Sequence, residues 1–181
     1  SILGNVEGGK NTALLSGEAI PRYYTNIKIN TIKLKGNVDG TENCGLLLGY
    51  MNRGNISNIC GEGEINGQTN LGGIAGKCES GTKTNITSCD INLKISGISY
   101  IGGIAGYAGV LRYNDSYDTT SISNMCINIQ INATGDYVGG IFGKCAPWNA
   151  NDKIGYGVHS VYGNGDCSPF RLVRCGETLC G

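Results

Sequence analysis

The sequence has few of the features that mark fibrous, coiled-coil, membrane-spanning or nucleic-acid-binding proteins. Its 181 residues include only 3 Pro, 1 His and 1 Trp, charged residues make up 15%, and the net charge is zero. Few prolines and no three-residue glycine period exclude collagen, while many glycines and few charges exclude a coiled coil. No run of about 18 apolar residues occurs, so we expect no membrane insertion. The balanced charge predicts no nucleic-acid partner.

Glycine is abundant instead, with 31 residues, and many of these glycines belong to a repeat. A seven-residue stretch, which we call the glycine motif, occurs five times with its closing glycines 27 to 37 residues apart. The copies are Asn11–Gly17, Asn43–Gly49, Asn70–Gly76, Tyr100–Gly106 and Tyr137–Gly143. Self-similarity at one period is the signature of a repeat architecture.

A second motif follows the middle copies, in Asn55–Gly67, Asn85–Gly97 and Ser121–Ala133, with Tyr24–Gly36 as a looser version. Its isoleucines alternate with polar residues, which predicts strands with one buried face. Stacked repeats would bury those faces in a continuous core. The inward column that we expect consists of Leu34, Ile65, Ile95 and Ile131.

This pattern predicts an all-β fold, a β-solenoid resembling a parallel β-helix, with about five Gly-rich repeats over residues 1–146. A β-sandwich is the main alternative. A propeller fits the repeat length less well, because its blades usually take about 40 residues.

The run G-G-I-A-G in the glycine motif and the runs N-I-S-N and S-I-S-N in the second motif resemble the GLUG-repeat family over roughly residues 43–143. The resemblance implies a large secreted or surface-attached protein, such as an adhesin or a region beside a protease domain. The cysteine content differs from that of the common bacterial members.

The nine cysteines are spread along the chain and none lies in a CxxC pair. They are Cys44, Cys60, Cys78, Cys89, Cys126, Cys145, Cys167, Cys175 and Cys180. With a single histidine, zinc is disfavoured, and we expect no metal and no cofactor. Spread cysteines favour an extracellular disulfide framework, with one thiol left free or paired outside the chain. The possible N-glycosylation acceptors Asn55, Asn85, Asn114 and Asn132 favour the same secretory route.

Cysteine positions within the repeats suggest which pairs form. In a solenoid Cys78 and Cys145 would lie two rungs, about 9.6 Å, apart, beyond the usual Cα limit of about 6.8 Å for a disulfide. Cys89 is offset by one residue from Cys60 and Cys126, so it should point to the other face. We therefore expect a Cys78–Cys89 bridge and a Cys126–Cys145 bridge. The alternative for Cys60 and Cys126 is a role as small core residues.

Residues 147–181 have a different composition, without the glycine motif and with Cys167, Cys175 and Cys180 close together. An open solenoid end exposes strand edges, which proteins normally cover. We interpret Pro147–Gly181 as a cysteine-rich cap or a junction to a following module. The alternative is an unstructured tail.

The expected binding residues lie in two insertions. Leu111–Thr120 lengthens one repeat, and insertions in solenoids map to loops that often belong to the binding face. Aromatic rings beside planar polar groups suit sugars or a protein partner. The candidates are Arg112, Tyr113, Asn114, Asp115, Tyr117 and, in the second insertion, Trp148. The alternative is that both loops only cover the solenoid edge.

Catalysis has little support in the sequence, so we expect no enzyme. His159 lies in an alternation typical of a strand, and Glu62 and Glu64, on either side of Gly63, do not form a recognisable pair for glycoside hydrolysis. The preferred function is an extracellular adhesion or recognition module of a larger surface protein, with carbohydrate binding as its sharper form. Its partners would be glycans or glycoproteins of a host or neighbouring cell, or other domains or subunits of the same protein. A structural spacer and a polysaccharide-processing enzyme fragment are the alternatives.

Overall fold

The computed structural model describes residues 1–22, 25–80, 84–110, 119–146 and 155–162. These residues form 17 strands. The first group contains the long strands and two short ones near the N-terminus: β1 (Ile2–Leu3), β2 (Val6–Glu7), β5 (Ile27–Asp39), β8 (Gly54–Asn66), β11 (Thr84–Gly97), β14 (Thr119–Ala133) and β17 (Gly155–Tyr162). The second contains β3 (Lys10–Ala13), β6 (Glu42–Gly45), β9 (Thr69–Gly72), β12 (Ser99–Gly102) and β15 (Val138–Gly139). The third contains β4 (Ser16–Ala19), β7 (Leu48–Met51), β10 (Ala75–Ser80), β13 (Ala105–Val110) and β16 (Phe142–Ala146).

Each group forms one parallel sheet, in which a strand pairs with its equivalents in the turns before and after. The sheets hold seven, five and five strands. Together they form a β-solenoid of about three turns, 42–66, 69–97 and 99–133. Each of these turns is flanked by further strands on both sides. The predicted architecture is confirmed, and the sandwich and propeller alternatives, which need antiparallel neighbours, are wrong. The repeat count of about five stays a prediction.

The glycine motif forms the tight corner between the two short strands of a turn. Its first residue has a positive φ between 55° and 63° in all five copies, at Asn11, Asn43, Asn70, Tyr100 and Tyr137. Its closing glycine packs against the backbone of that first residue. A Cβ on Gly106 would lie 2.5 Å from the carbonyl carbon of Asn70 and would overlap the carbonyl oxygen of Tyr100. The motif ends in glycine because no side chain fits at this point.

The long strands contain a bend that the sequence pattern does not reveal. One residue in each of four long strands has a φ of 54° to 58°: Thr31, Asn58, Ser88 and Asn124. Residues three apart in a regular strand face opposite sides, but Ile56 and Ile59 both point inward and are fully buried. The bend therefore shifts the alternation of inward-facing and outward-facing side chains by one residue. Cys89 pairs with Ile59 and Met125, not with Cys60, which confirms that its side chain faces the other way.

The predicted inward column is correct at three of its four positions. The observed column consists of Val38, Ile65, Ile95 and Ile131. Leu34 is wrong for this column, because it pairs with Gly61, although it too points into the core and is 1% exposed. The first repeat contains two glycines four residues apart, Gly36 and Gly40, and the predicted column aligned Gly36 with Gly67. In the structure Gly36 pairs with Gly63.

Only 155–162 of the predicted cap belongs to the described residues. This segment is the strand β17, which pairs with β14 in the long-strand sheet, and it confirms the strand expected around His159. The cap itself and the boundary at 146/147 stay predictions. Within the described parts of the chain, no helix is long and apolar enough to cross a membrane.

Candidate functional site: a tyrosine–lysine edge

The binding residues expected from the sequence lie outside the described residues. This applies to Arg112, Tyr113, Asn114, Asp115 and Tyr117 in the first insertion and to Trp148 in the second. Their role stays a prediction.

Another set of tyrosines lines one edge of the solenoid, where each glycine motif begins and ends. Because the closing glycine packs on the first residue of the motif, the first residue and the residue after the closing glycine lie side by side. Each position is repeated from turn to turn and forms a column. We call the following residues the tyrosine–lysine edge: Tyr50, Lys77, Glu79, Tyr100, Tyr107, Tyr137 and Lys144.

The first column changes from asparagine to tyrosine along the solenoid. Asn43 Nδ2 donates to Asn11 Oδ1 at 2.7 Å, and Asn70 Nδ2 donates to Asn43 Oδ1 at 2.8 Å. Tyr100 and Tyr137 continue the column, with ring centroids 4.8 Å apart and planes 5° from parallel. Tyr137 is 52% exposed, so the stack leaves much of its ring open to solvent.

The second column alternates tyrosines with lysines. Lys77 pairs with Tyr50 and with Tyr107 in the neighbouring turns, and its Nζ lies 5.8 Å and 5.3 Å from their ring centroids. Both distances fall within the range of cation–π attraction. Glu79 accepts from Lys77 Nζ at 2.7 Å and from the Tyr50 hydroxyl at 2.7 Å. Lys77 is therefore neutralised within the protein.

The Lys77–Glu79–Tyr50 contacts also change the acidity of two of their members. Burial alone would raise the pKa of Glu79, but the hydrogen bonds from Lys77 and Tyr50 outweigh it and lower that pKa from 4.5. Burial, followed by the hydrogen bond to Glu79, raises the pKa of the Tyr50 hydroxyl well above its usual value. Glu79 is thus held as a carboxylate and Tyr50 as a neutral donor.

The other lysine of the edge occupies a different environment. Lys144 Nζ lies 5.3 Å from the Tyr100 ring centroid and 5.0 Å from that of Tyr137. Tyr107 contacts Tyr100 edge to face at 6.5 Å, so the aromatic surface extends from the first column to the second. An open aromatic face beside hydrogen-bond donors suits a sugar ring, which combines a C–H face with a rim of hydroxyls.

Sequence reasoning missed this edge, although one signal was present. The glycine motif begins with Asn in its first three copies and with Tyr in the last two. Residues at one motif position stack in a solenoid, so Tyr100 and Tyr137 could have been paired. The contact between this column and the residue after the closing glycine depends on the corner geometry.

A shallow polar groove lies on the outer face of the long-strand sheet. One part, of about 330 Å³, includes Glu62 and Glu64, and the adjoining part, of about 580 Å³, includes Asn128. Glu62 pairs with Lys35 at 3.2 Å and Glu64 with Lys94 at 3.3 Å. Both carboxylates are thus engaged by lysines across neighbouring turns.

The possible glycosylation acceptors have different environments. Asn132 is exposed in β14. Asn55 and Asn85 are half-buried, and Asn85 Nδ2, the atom that would carry a glycan, donates to Asn55 Oδ1 at 2.8 Å. Asn114 lies outside the described residues. Of the three described acceptors, Asn132 is the most accessible.

The expected cysteine bridges are absent. Cys78, Cys89 and Cys145 take part in no disulfide, so neither the Cys78–Cys89 nor the Cys126–Cys145 bridge forms, whereas Cys60 and Cys126 are disulfide-bonded. Cys78 and Cys89 are buried thiols in different sheets, and Cys89 Sγ donates to the Thr87 carbonyl at 3.3 Å. The alignment of Cys78 and Cys145 two turns apart is confirmed by their pairing with the turn between them.

Three cysteines act as small core residues. Burial raises the pKa of Cys44 to about 11 and the pKa of Cys78 and of Cys89 to about 12, so each remains a protonated thiol near neutral pH. Cys60 and Cys126, for which a role as small core residues was the alternative, are disulfide-bonded instead. The pairing of Cys167, Cys175 and Cys180 concerns residues beyond the described ranges.

Among the described residues, no group of three or more His, Cys, Asp or Glu side chains could hold a metal ion. No protein-family model, no curated protein and no solved structure matches this chain.

Proposed function

We propose that this chain is a non-enzymatic recognition module of a larger extracellular or cell-surface protein, and that it binds glycans at the tyrosine–lysine edge. The observation that carries the proposal is the Tyr100–Tyr137 stack: one ring supports the other, the outer ring is 52% exposed, and Lys144 lies 5.0 Å from its centroid. The stack holds the exposed ring in one orientation before a ligand arrives, which lowers the entropy lost on binding.

The setting at the cell surface rests on other features. The chain resembles the GLUG-type repeats of surface proteins, and it carries an exposed acceptor at Asn132. The partners proposed are glycans or glycoproteins of a host or neighbouring cell. The buried thiols of Cys44, Cys78 and Cys89 do not fit an extensive disulfide framework, whereas the disulfide-bonded Cys60 and Cys126 fit an oxidising compartment.

A glycan array probed with the purified chain tests the proposal. We expect binding that Tyr137→Ala weakens by tenfold or more, since stacking on an aromatic ring is lost, while Tyr137→Phe retains most of it. Val138→Ala is the matched control, because Val138 is 44% exposed and adjacent but carries no ring.

Two results would contradict this assignment. If the unmodified chain binds no glycan, recognition of sugars is wrong. If Tyr137→Ala binds normally and the double change Tyr113→Ala with Tyr117→Ala does not, the site lies in the 111–120 insertion.

A structural spacer is the second candidate, and one observation favours it. Polar side chains on the long-strand sheet pair with each other across turns, as in Lys35–Glu62 and Asn66–Asp39, which suits a rod without a ligand. If the chain binds no glycan on the array and binding is confined to neighbouring domains, the spacer is supported.

A further inference from the structure

The two lysines of the tyrosine–lysine edge occupy equivalent positions but differ in their counter-charge. Lys77 pairs in register with Tyr107, and Tyr107 pairs with Lys144 in the next turn. Each ammonium group lies within 6 Å of two tyrosine rings. Lys77 and Lys144 are therefore two copies of one structural position.

Among the residues that the structure describes, the carboxylate that neutralises Lys77 has no equivalent beside Lys144. Glu79 pairs in register with Gly109, and Gly109 pairs with Ala146, so a residue without a carboxylate stands two places after Lys144. Lys10, Lys35, Lys77 and Lys94 each form an ion pair, whereas Lys144 forms none with a described residue. The nearby Asp136 makes no ion pair with Lys144.

The Lys144 ammonium group lies beside two stacked aromatic rings, which partly shield it from water. In such surroundings its attraction for an anion is stronger than in bulk solvent, and a charge-assisted hydrogen bond is stronger than a neutral one. Lys144 also lies beside the half-exposed ring of Tyr137. A ligand whose sugar ring covers Tyr137 would thus bring its substituents next to Lys144.

We propose that the tyrosine–lysine edge selects acidic glycans, with the carboxylate or sulfate of a sugar bound by Lys144 while the sugar ring covers Tyr137. This inference rests on the proposed function and specifies its ligand class. Lys77 would not serve as a second anion site, because Glu79 already occupies its ammonium group.

Matched pairs of oligosaccharides test the selectivity: one pair with and without a terminal sialic acid, and one with and without a sulfate ester. We expect at least one acidic member to bind about tenfold more tightly than its neutral partner at low salt, a difference typical of one charged hydrogen bond. The pair that shows it identifies the anion. The difference should shrink at high salt, since exposed charges are screened.

Three variants separate the charge of Lys144 from other effects. Lys144→Gln should remove the preference for the acidic member, so that the acidic and neutral members bind with similar affinity. Ala146→Glu should do the same, by supplying the counter-charge that Glu79 supplies to Lys77. Lys94→Gln, which removes a charge from the polar groove, should leave the preference intact.

The outcomes distinguish this inference from the proposed function. If acidic and neutral oligosaccharides bind equally, or if Lys144→Gln keeps the preference, the inference is wrong and glycan recognition stands. If none of the oligosaccharides binds, both are wrong.

Discussion

The closing glycine of the motif should tolerate no side chain, whereas Gly140, an internal glycine of the last copy, should. A Cβ on Gly106 would lie 2.5 Å from the carbonyl carbon of Asn70 and closer still to backbone atoms of Leu71 and Tyr100. Real Cβ contacts under 3.0 Å are essentially never seen, and backbone atoms of a stacked turn cannot move aside singly. A Cβ on Gly140 would have nothing within 4 Å.

Gly106→Ala and Gly140→Ala form a matched pair, because neither glycine has a positive φ. Both changes restrict the unfolded chain by the same amount, which stabilises by about 0.4–1 kcal/mol where the new residue fits. Forcing a methyl group into a filled space costs about 1–3 kcal/mol or more. We expect Gly106→Ala to be less stable than Gly140→Ala by about 2 kcal/mol, or roughly 4–8 °C in Tm for a chain of this length.

Thermal unfolding followed by far-UV circular dichroism, with denaturant titration as a second measurement, gives this difference. Gly140→Ala should match or slightly exceed the wild type. Equal stability of the two variants would refute the explanation of the motif by close backbone packing.

Two further predictions concern titratable groups. Burial raises the pKa of the Cys44, Cys78 and Cys89 thiols to about 11, 12 and 12. A thiol reagent at pH 8 should therefore not modify them in the folded protein, but it should modify all three after unfolding without reductant. Fewer than three reactive thiols in the unfolded protein would contradict their free state. Because the pKa of Glu79 is lowered from 4.5 in the folded protein, its charge stabilises the fold above that pH and the contribution disappears as pH falls below it. The Tm difference between wild type and Glu79→Gln should therefore shrink below pH 4.5, and a constant difference would show that this carboxylate is not held ionised.

Several aspects of the fold could be predicted from the sequence because they depend on local repetition. The alternation in Ile91–Ile95 requires one buried face, and the recurrence of the glycine motif every 27 to 37 residues requires stacking. The column through Ile65, Ile95 and Ile131 followed directly. Leu34 was misplaced because the first repeat offers two glycines as alignment points, and only backbone pairing distinguishes them.

The cysteine pairs were predicted less well, for a reason that lies in the core. Spacing can exclude Cys78 with Cys145, but it cannot tell a thiol that needs a partner from one that fills a small volume. Cys78 lies in register with Met51 and Ala108, and Cys89 with Ile59 and Met125. In both columns the thiol occupies a place that neighbouring turns give to apolar residues.

By itself the sequence determined the class of fold, the parallel stacking of equivalent residues and the need for glycine at the corners, since each follows from the repeat. Tertiary structure alone decided the tyrosine–lysine edge. The first residue of the motif and the residue after its closing glycine are seven positions apart, and they meet only because that glycine allows two backbones to touch. The same corner in the next turn then places Lys144 against Tyr100 and Tyr137, a contact between turns that no local pattern encodes.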